Sequence, residues 1–168
     1  MKDLIRDIKD FPSEGILFRD ITTLLQDADG LQSAVNQLCD AVKDVEFDMV
    51  LGPESRGFIF GVPVAYNLKK GFVPVRKPGK LPYETISESY DLEYGSNTLE
   101  MHTDAIKAGQ KVIIVDDLLA TGGTTKAVVE LVKKLGAEVV AILYLIELEE
   151  LGGRAVLGDI PTTSLLKY

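Results

Sequence analysis

The chain has 168 residues, about the size of one domain, and carries 18 Lys and Arg against 26 Asp and Glu. The net charge of −8 argues against a general nucleic-acid binder, and the single Cys39 excludes an internal disulfide. Charges throughout the first ten residues predict no signal peptide, and the longest apolar run, 139–146, falls short of the roughly 20 residues that span a bilayer. We therefore expect one cytoplasmic α/β domain over 1–168, with no membrane or nucleic-acid partner.

Two helices and two strands are predicted in the first half of the chain. Apolar residues at helical spacing run from Leu31 to Val45, with Asp29 as the expected N-cap and Gln32 completing a capping box. Runs of apolar and β-branched residues predict buried strands at 47–52 and 72–76. A helix is predicted between them at 57–68, although Pro63 interrupts its pattern.

Residues 78–101 alternate apolar and polar side chains around the turn signal Tyr94-Gly95-Ser96-Asn97. This pattern predicts a β-hairpin that projects from the sheet as a lid. Beyond it, a strand at 112–116, a helix over 127–135 ended by Gly136, and a strand at 139–146 are predicted. The alternation of strands and helices predicts an α/β fold with a parallel twisted sheet flanked by helices.

The segment VIIVDDLLATGGTT, residues 112–125, combines a buried strand ending in two carboxylates with a small-residue loop that opens a helix. Amides and hydroxyls at such a helix N-terminus bind phosphate, and here they would come from Thr121, Gly122, Gly123 and Thr124. Asp116 and Asp117 are placed to accept hydrogen bonds from sugar hydroxyls or to help hold a cation. The plainer interpretation is a strand-end turn with capping residues; a Walker loop is excluded because its lysine is absent.

Positive charge is segregated in this acidic chain, because residues 55–83 contain no Asp or Glu. The turn Gly52-Pro53-Glu54-Ser55-Arg56-Gly57 is predicted to present amides and a guanidinium to a pyrophosphate. Arg76, Lys77 and Lys80 follow the next strand at its carboxyl end, where α/β sheets bind ligands. A solvated basic face is the simpler alternative, and we assign Lys69 and Lys70 to it.

The segment 112–125 resembles the phosphoribosyl pyrophosphate signature of the type I phosphoribosyltransferase family. The resemblance implies that Ala120, Thr121, Gly122, Gly123 and Thr124 hold a 5′-phosphate. It also implies that Asp116 and Asp117 bind the ribose hydroxyls, and that the domain has three functional segments: a purine pocket in 1–25, a lid at 78–101 and the donor motif at 112–125.

Four segments, 11–25, 52–61, 76–95 and 115–125, are similar to the adenine-specific members of this family. Ala120 stands where members acting on 6-oxopurines carry an Asp near the base. The resemblance therefore implies that Glu93 assists the purine as a catalytic residue. It further implies that Phe18 stacks on adenine while the backbone of Leu17 and Arg19 binds its edge.

The reaction implied by the resemblance is transfer of a 5-phosphoribosyl group to N9 of adenine, giving AMP and pyrophosphate. Mg²⁺ would bridge the substrate's oxygens without dedicated protein ligands. The groups implied to bind the donor or stabilise the leaving pyrophosphate are Glu54, Ser55, Arg56, Arg76, Lys77 and Lys80, with Arg56 catalytic. The family resemblance also implies a homodimer, and it leaves two alternatives for Arg76, which would act either in its own site or in the site of the neighbouring subunit.

Two alternatives stay open on the sequence alone. A non-catalytic sensor of phosphoribosyl pyrophosphate would keep 112–125, although we expect it to need an added effector domain. An enzyme acting on xanthine, hypoxanthine or guanine would share the fold, and Ala120 argues against it. Assay of each base separates these possibilities.

Overall fold

The computed structural model describes residues 1–92 and 95–168, without the side chain of Leu92, and it divides into two compact units. The first unit, Met1–Gln37, contains an antiparallel pair, β1 (Arg6–Lys9) and β2 (Leu17–Asp20), followed by a short helix, α1 (Thr22–Gln26). Helix α2 (Ala28–Asp40) begins in this unit and ends in the second, Leu38–Tyr168. The single-domain organisation expected from the sequence stays a prediction.

The second unit is built on a parallel sheet of five strands. The strands described in this unit, inside and outside that sheet, are β3 (Met49–Pro53), β4 (Gly71–Val75), β5 (Thr85–Leu92), β6 (Gly95–His102), β7 (Lys111–Leu119), β8 (Glu138–Glu147) and β9 (Thr162–Lys167). The order in the sheet is β4-β3-β7-β8-β9, with β5 and β6 forming a separate antiparallel pair. The four strands predicted from apolar runs are confirmed as β3, β4, β7 and β8. Such runs are typical of strands that are buried on both faces.

Three helices accompany this sheet: α3 (Arg56–Asn67), α4 (Gly123–Lys134) and the short α5 (Gly153–Val156). The helix predicted at 57–68 is confirmed, and α3 continues through Pro63, which the sequence pattern indicated as an interruption. Helix α4 ends as its glycine indicates: Gly136 has a φ of +75°, and the Ala137 amide donates to the Val132 carbonyl at 3.2 Å. This is the glycine-ended cap expected from the sequence.

The start of α2 differs from the prediction. Asp29 lies within the first turn, and the capping residue is Asp27, whose Oδ1 accepts the Gly30 amide at 2.7 Å. Asp27 has an extended backbone, which lets its short side chain turn back to that amide. The helix also ends before Val42 and Val45, so the predicted apolar stripe runs beyond the helical residues.

The predicted antiparallel pair is confirmed, with Thr85 opposite His102 and Tyr90 opposite Asn97. The strands begin at Thr85 rather than at residue 78. The turn predicted at 94–97 was wrong for residues 95–97, which belong to β6 because they pair with β5; Tyr94 lies outside the described residues. Leu99 and Met101 are buried, so β6 contributes to the main core.

Candidate active site

The order of the sheet brings the predicted donor-binding segments to one edge. From β3 the chain moves outward to β4, and it then returns to the other side of β3 to form β7. Ligands of α/β folds bind beyond the carboxyl ends of strands at such a reversal. Residues 54–56 follow β3, residues 76–80 follow β4, and residues 116–124 lie at the end of β7.

The two adjacent carboxylates lie inside β7 rather than after it. The strand continues through Leu119, and Asp116 pairs with Tyr144 of β8, so the prediction that the strand ends at the carboxylates was wrong. Pairing with the longer β8 extends the strand past the point where its apolar run stops. Both side chains are consequently almost fully buried at the switch point.

Arg56 and Asp117, predicted to serve different parts of the donor, are in direct contact. The Arg56 Nε lies 2.9 Å from Asp117 Oδ2, and the Asp117 amide donates to Asp116 Oδ1 at 2.8 Å. Burial raises the pKa of Asp116 well above its usual range, and the neighbouring Asp117 carboxylate adds to the rise. Burial also raises the pKa of Asp117, against the opposing charge of Arg56. These two carboxyls therefore favour ligands that donate hydrogen bonds or carry positive charge.

The loop after β7 encloses a small cavity. Residues 118–125 line a cavity of about 60 Å³, and α4 begins at Gly123, so the free amides of its first turn face this region. The first turn of α4 is held to β8, because the hydroxyls of Thr125 and Tyr144 lie 2.5 Å apart and both residues are buried. Burial raises the pKa of Tyr144, which keeps this hydroxyl neutral.

The same loop rests on the backbone of α5, a contact that no sequence pattern predicted. A Cβ atom on Gly153 would lie 2.2 Å from the Ala120 carbonyl oxygen, and one on Gly122 would lie 2.7 Å from the Gly153 carbonyl oxygen. Helix α5 is in turn anchored by Arg154, whose guanidinium bonds both carboxylate oxygens of the buried Glu147. Neither contact follows from the spacing of residues in the chain.

Glu54 joins two of the predicted cationic residues. Its carboxylate accepts Arg76 Nε and Lys80 Nζ, each at 2.7 Å, and its side chain is only 5% exposed. Burial alone would raise the pKa of Glu54, but the bonds from Lys80 and Arg76 lower it below its usual value. Arg76 is also held by its backbone, which exchanges two hydrogen bonds with Glu100 of β6. Ser55 and Lys77 are exposed beside this cluster.

The predicted purine-binding residues belong to the first unit, except for Glu93, which lies outside the described residues. Leu17, Phe18 and Arg19 form most of β2, and the Phe18 ring meets Phe11 edge-on at a centroid distance of 5.1 Å. The Arg19 side chain is paired with Asp7 on the adjacent strand. Leu17 is 41% exposed, so the unit offers apolar surface for a ring.

The end of β2 is firmly fixed. Asp20 accepts the amide and hydroxyl of Thr22 and the guanidinium of Arg6. These bonds, those from Thr22 first, lower the pKa of Asp20 to about 2. The carboxylate therefore stays ionised and holds β2 to β1 across the working pH range.

Comparison with known proteins agrees with this geometry. Residues 20–155 match the phosphoribosyl transferase domain family. An adenine phosphoribosyltransferase of Clostridium botulinum is 59% identical over the whole chain and 98% of its own length. The crystal structure of adenine phosphoribosyltransferase from Thermoanaerobacter pseudethanolicus has 52% identity and a TM-score of 0.97, with coverage of 99% of this chain and 97% of that one.

A ligand-bound structure is also similar. Adenine phosphoribosyltransferase from Saccharomyces cerevisiae, complexed with D-2,5-dideoxy-2,5-imino-altritol 1,6-bisphosphate and adenine, is 43% identical, with a TM-score of 0.92 and coverage of 98% of this chain and 96% of that chain. The matched family spans most of the chain, and the relatives match it from end to end. The chain therefore belongs to the phosphoribosyltransferase family, among the adenine phosphoribosyltransferases.

Proposed function

We propose that the chain transfers the 5-phosphoribosyl group of phosphoribosyl pyrophosphate to N9 of adenine, producing AMP and pyrophosphate in purine salvage. The observation that carries this proposal is full-length similarity to adenine phosphoribosyltransferases, at 55% and 59% identity in two relatives. The carboxylate pair, the amide loop and the cation cluster at one sheet edge support it.

The donor's ribose phosphate is proposed to bind at the end of β7. Residues 120–124 would surround the 5′-phosphate with amides and hydroxyls, and the helix dipole of α4 favours the negative charge. Asp116 and Asp117 would accept hydrogen bonds from the two ribose hydroxyls. Hydrogen bonds from the ribose would stabilise these two carboxylates, since a buried carboxylate needs hydrogen-bond partners.

The pyrophosphate is proposed to lie over the residues that follow β3 and β4. Arg56 is catalytic in this scheme, because it stabilises the charge that develops on the leaving group. Arg76, Lys77 and Lys80 add positive charge, and the Ser55 amide and hydroxyl complete the turn. Glu54 acts through Arg76 and Lys80, whose nitrogens it already holds at 2.7 Å.

The donor set fits a divalent cation that is bound mainly by the substrate. Among the described residues, no group of three or more His, Cys, Asp or Glu side chains could hold a metal ion. Mg²⁺ commonly takes one or two carboxylates together with phosphate oxygens and water, and Asp116 and Asp117 supply that number. Mg²⁺, when bound, would neutralise charge on the pyrophosphate and orient it.

The acceptor is proposed to bind against β2. Phe18 would stack on adenine, the backbone of Leu17 and Arg19 would bind its edge, and Glu93 would exchange a proton with the purine. N9 attacks C1′ as the bond to pyrophosphate breaks, with inversion and oxocarbenium-like charge on the ribose. The β5–β6 hairpin would exclude water, which would otherwise hydrolyse the donor.

A homodimer is proposed from the outer face of α3. Ile59, Val62 and Tyr66 are spaced at one helical face and are 37%, 47% and 81% exposed. A second copy of the chain would cover this apolar face. Light scattering tests the dimer, which Val62→Lys should weaken. Mixed dimers that carry Arg76→Ala in one subunit test whether Arg76 acts in its own site or in the neighbouring site.

No helix in the described part of the chain is long and apolar enough to cross a membrane. The cytoplasmic location expected from the sequence stays a proposal.

The deciding experiment measures pyrophosphate release with Mg²⁺ and phosphoribosyl pyrophosphate, with adenine, hypoxanthine, guanine and xanthine in parallel. Release with adenine alone is expected. Release with a 6-oxopurine would keep the reaction class but overturn the roles given to Ala120 and Glu93. Donor binding without release from any base would instead favour a sensor.

A further inference from the structure

Tyr90 brings a side chain of the hairpin to the start of α4. Its ring packs on Gly123, where an added Cβ would lie 3.1 Å from Tyr90 Cδ2. The Thr124 hydroxyl donates to the Tyr90 hydroxyl at 3.2 Å. A strand outside the central sheet therefore contacts two of the five residues proposed to surround the 5′-phosphate.

The position of Tyr90 is fixed by the packing of β5 along α4. Lys134 of α4 pairs with Glu88 at 2.6 Å and donates to the Ser87 carbonyl at 2.7 Å. The Tyr90 side chain is half-buried against the main apolar core. Tyr90 thus reaches Thr124 from a strand that is anchored, and its hydroxyl has a defined direction.

A phosphate bound at the loop would reverse which of the two hydroxyls donates the hydrogen bond and which accepts it. Each hydroxyl has one proton and accepting lone pairs, so only one of the two donates to the other. The Thr124 hydroxyl donates to a phosphate oxygen in preference to the Tyr90 hydroxyl, because a hydrogen bond to a charged acceptor is stronger than one to a neutral hydroxyl. The Tyr90 hydroxyl then donates to Thr124 Oγ1, which leaves the Thr124 proton directed at the phosphate.

We propose that Tyr90 is a positioning residue for the donor's 5′-phosphate, acting through the hydroxyl of Thr124. This inference rests on the proposed function, because it takes the 120–124 loop as the phosphate site. It assigns the hairpin a role in ground-state recognition of the ribose phosphate, in addition to the exclusion of water. The pyrophosphate half of the donor, bound beyond β3 and β4, should not depend on Tyr90.

The test is Tyr90→Phe, which keeps the ring on Gly123 and removes only the hydroxyl. Calorimetry with ribose 5-phosphate should show affinity lowered about three- to tenfold, as expected for one hydrogen bond. Affinity for inorganic pyrophosphate should stay unchanged. In steady-state assays, KM for phosphoribosyl pyrophosphate should rise by the same factor while KM for adenine stays constant.

Two further variants make the result specific. Tyr83→Phe is the control, because Tyr83 is 58% exposed and its ring meets His102 at 6.0 Å, away from the loop. Its affinities should equal those of the parent chain. In a Thr124→Val background, Tyr90→Phe should have no further effect, since the hydroxyl through which it acts is gone.

Three results would overturn the proposal. They are unchanged ribose 5-phosphate affinity in Tyr90→Phe, equal losses for ribose 5-phosphate and pyrophosphate, and additive losses in the double variant. Transfer to adenine by the parent chain separates this outcome from failure of the proposed function. An active parent with an unaffected Tyr90→Phe variant refutes the inference alone, whereas an inactive parent refutes the function.

Discussion

Gly153→Ala tests whether α5 supports the phosphate loop. The new Cβ would lie 2.2 Å from the Ala120 carbonyl oxygen and 2.9 Å from Leu119 Cδ1. An ordinary carbon–oxygen contact is about 3.3 Å, so the loop or α5 must move by about 1 Å. Overpacking of this kind costs about 1–3 kcal/mol of stability. Because the loop binds the donor, a shift of that size should lower kcat/KM for the donor by up to about 100-fold.

The assay is initial velocity with varied phosphoribosyl pyrophosphate at saturating adenine, and then with the roles of the substrates exchanged. We expect the loss to concentrate in KM for the donor. The control is Gly158→Ala, because a Cβ there meets nothing within 4 Å although φ is +63°. That variant should lose about 1 kcal/mol of stability through its left-handed backbone and keep its donor KM.

Two outcomes would refute this reasoning. A folded Gly153→Ala protein with parental donor kinetics would show that α5 does not support the loop. Equal kinetic losses in Gly153→Ala and Gly158→Ala would show that lowered stability, rather than displacement of Ala120, causes the defect. Melting temperatures measured beside the kinetics distinguish a folded variant from a partly unfolded one.

Three other substitutions test the carboxylates. Because burial raises the pKa of Asp116, the stability due to this group falls as the pH rises above its unfolded pKa of about 3.9. Asp116→Asn should therefore flatten the decline of melting temperature as the pH rises above about 4, while calorimetry shows weaker donor binding. Glu54→Gln should raise KM for the donor and cost about 1–3 kcal/mol in chemical denaturation, since Arg76 and Lys80 lose a charged acceptor. Glu93→Ala should lower turnover by about 100-fold or more and leave donor affinity unchanged; weakened donor binding with normal turnover would contradict the role given to Glu93.

The elements predicted well from the sequence are those whose pattern is local. The central strands are uninterrupted apolar runs, and Gly136 marks the end of α4 by its backbone conformation. Strand β9 was not predicted, because TTSLLK becomes a strand only by pairing with β8. The extension of β7 through Leu119 has the same cause, since partner strands decide where a strand ends. Asp27 and Asp29 are equally suited to cap α2 by composition, and only the backbone conformation distinguishes them.

The sequence placed the candidate site residues after predicted strands, but it did not show how these segments are arranged. In the structure, residues 54–56, 76–80 and 116–124 lie at one edge of the sheet because β3 stands between β4 and β7. The pairing of Glu54 with Arg76 and Lys80 was not predicted. The partners are separated by 22 and 26 positions along the chain, and a single sequence carries no signal for a contact at that separation. The support of Ala120 by Gly153 is equally nonlocal.

The paired backbone bonds between Arg76 and Glu100 link the hairpin to the cation cluster in one cooperative unit. Opening of β6 away from the end of β4 breaks both bonds, so the two amide hydrogens exchange with solvent through a common opening event. The register of the hairpin is consequently fixed where Glu100 meets Arg76. A one-residue insertion in β6 between this point and Met101 would turn the following side chains to the opposite face and expose part of the core.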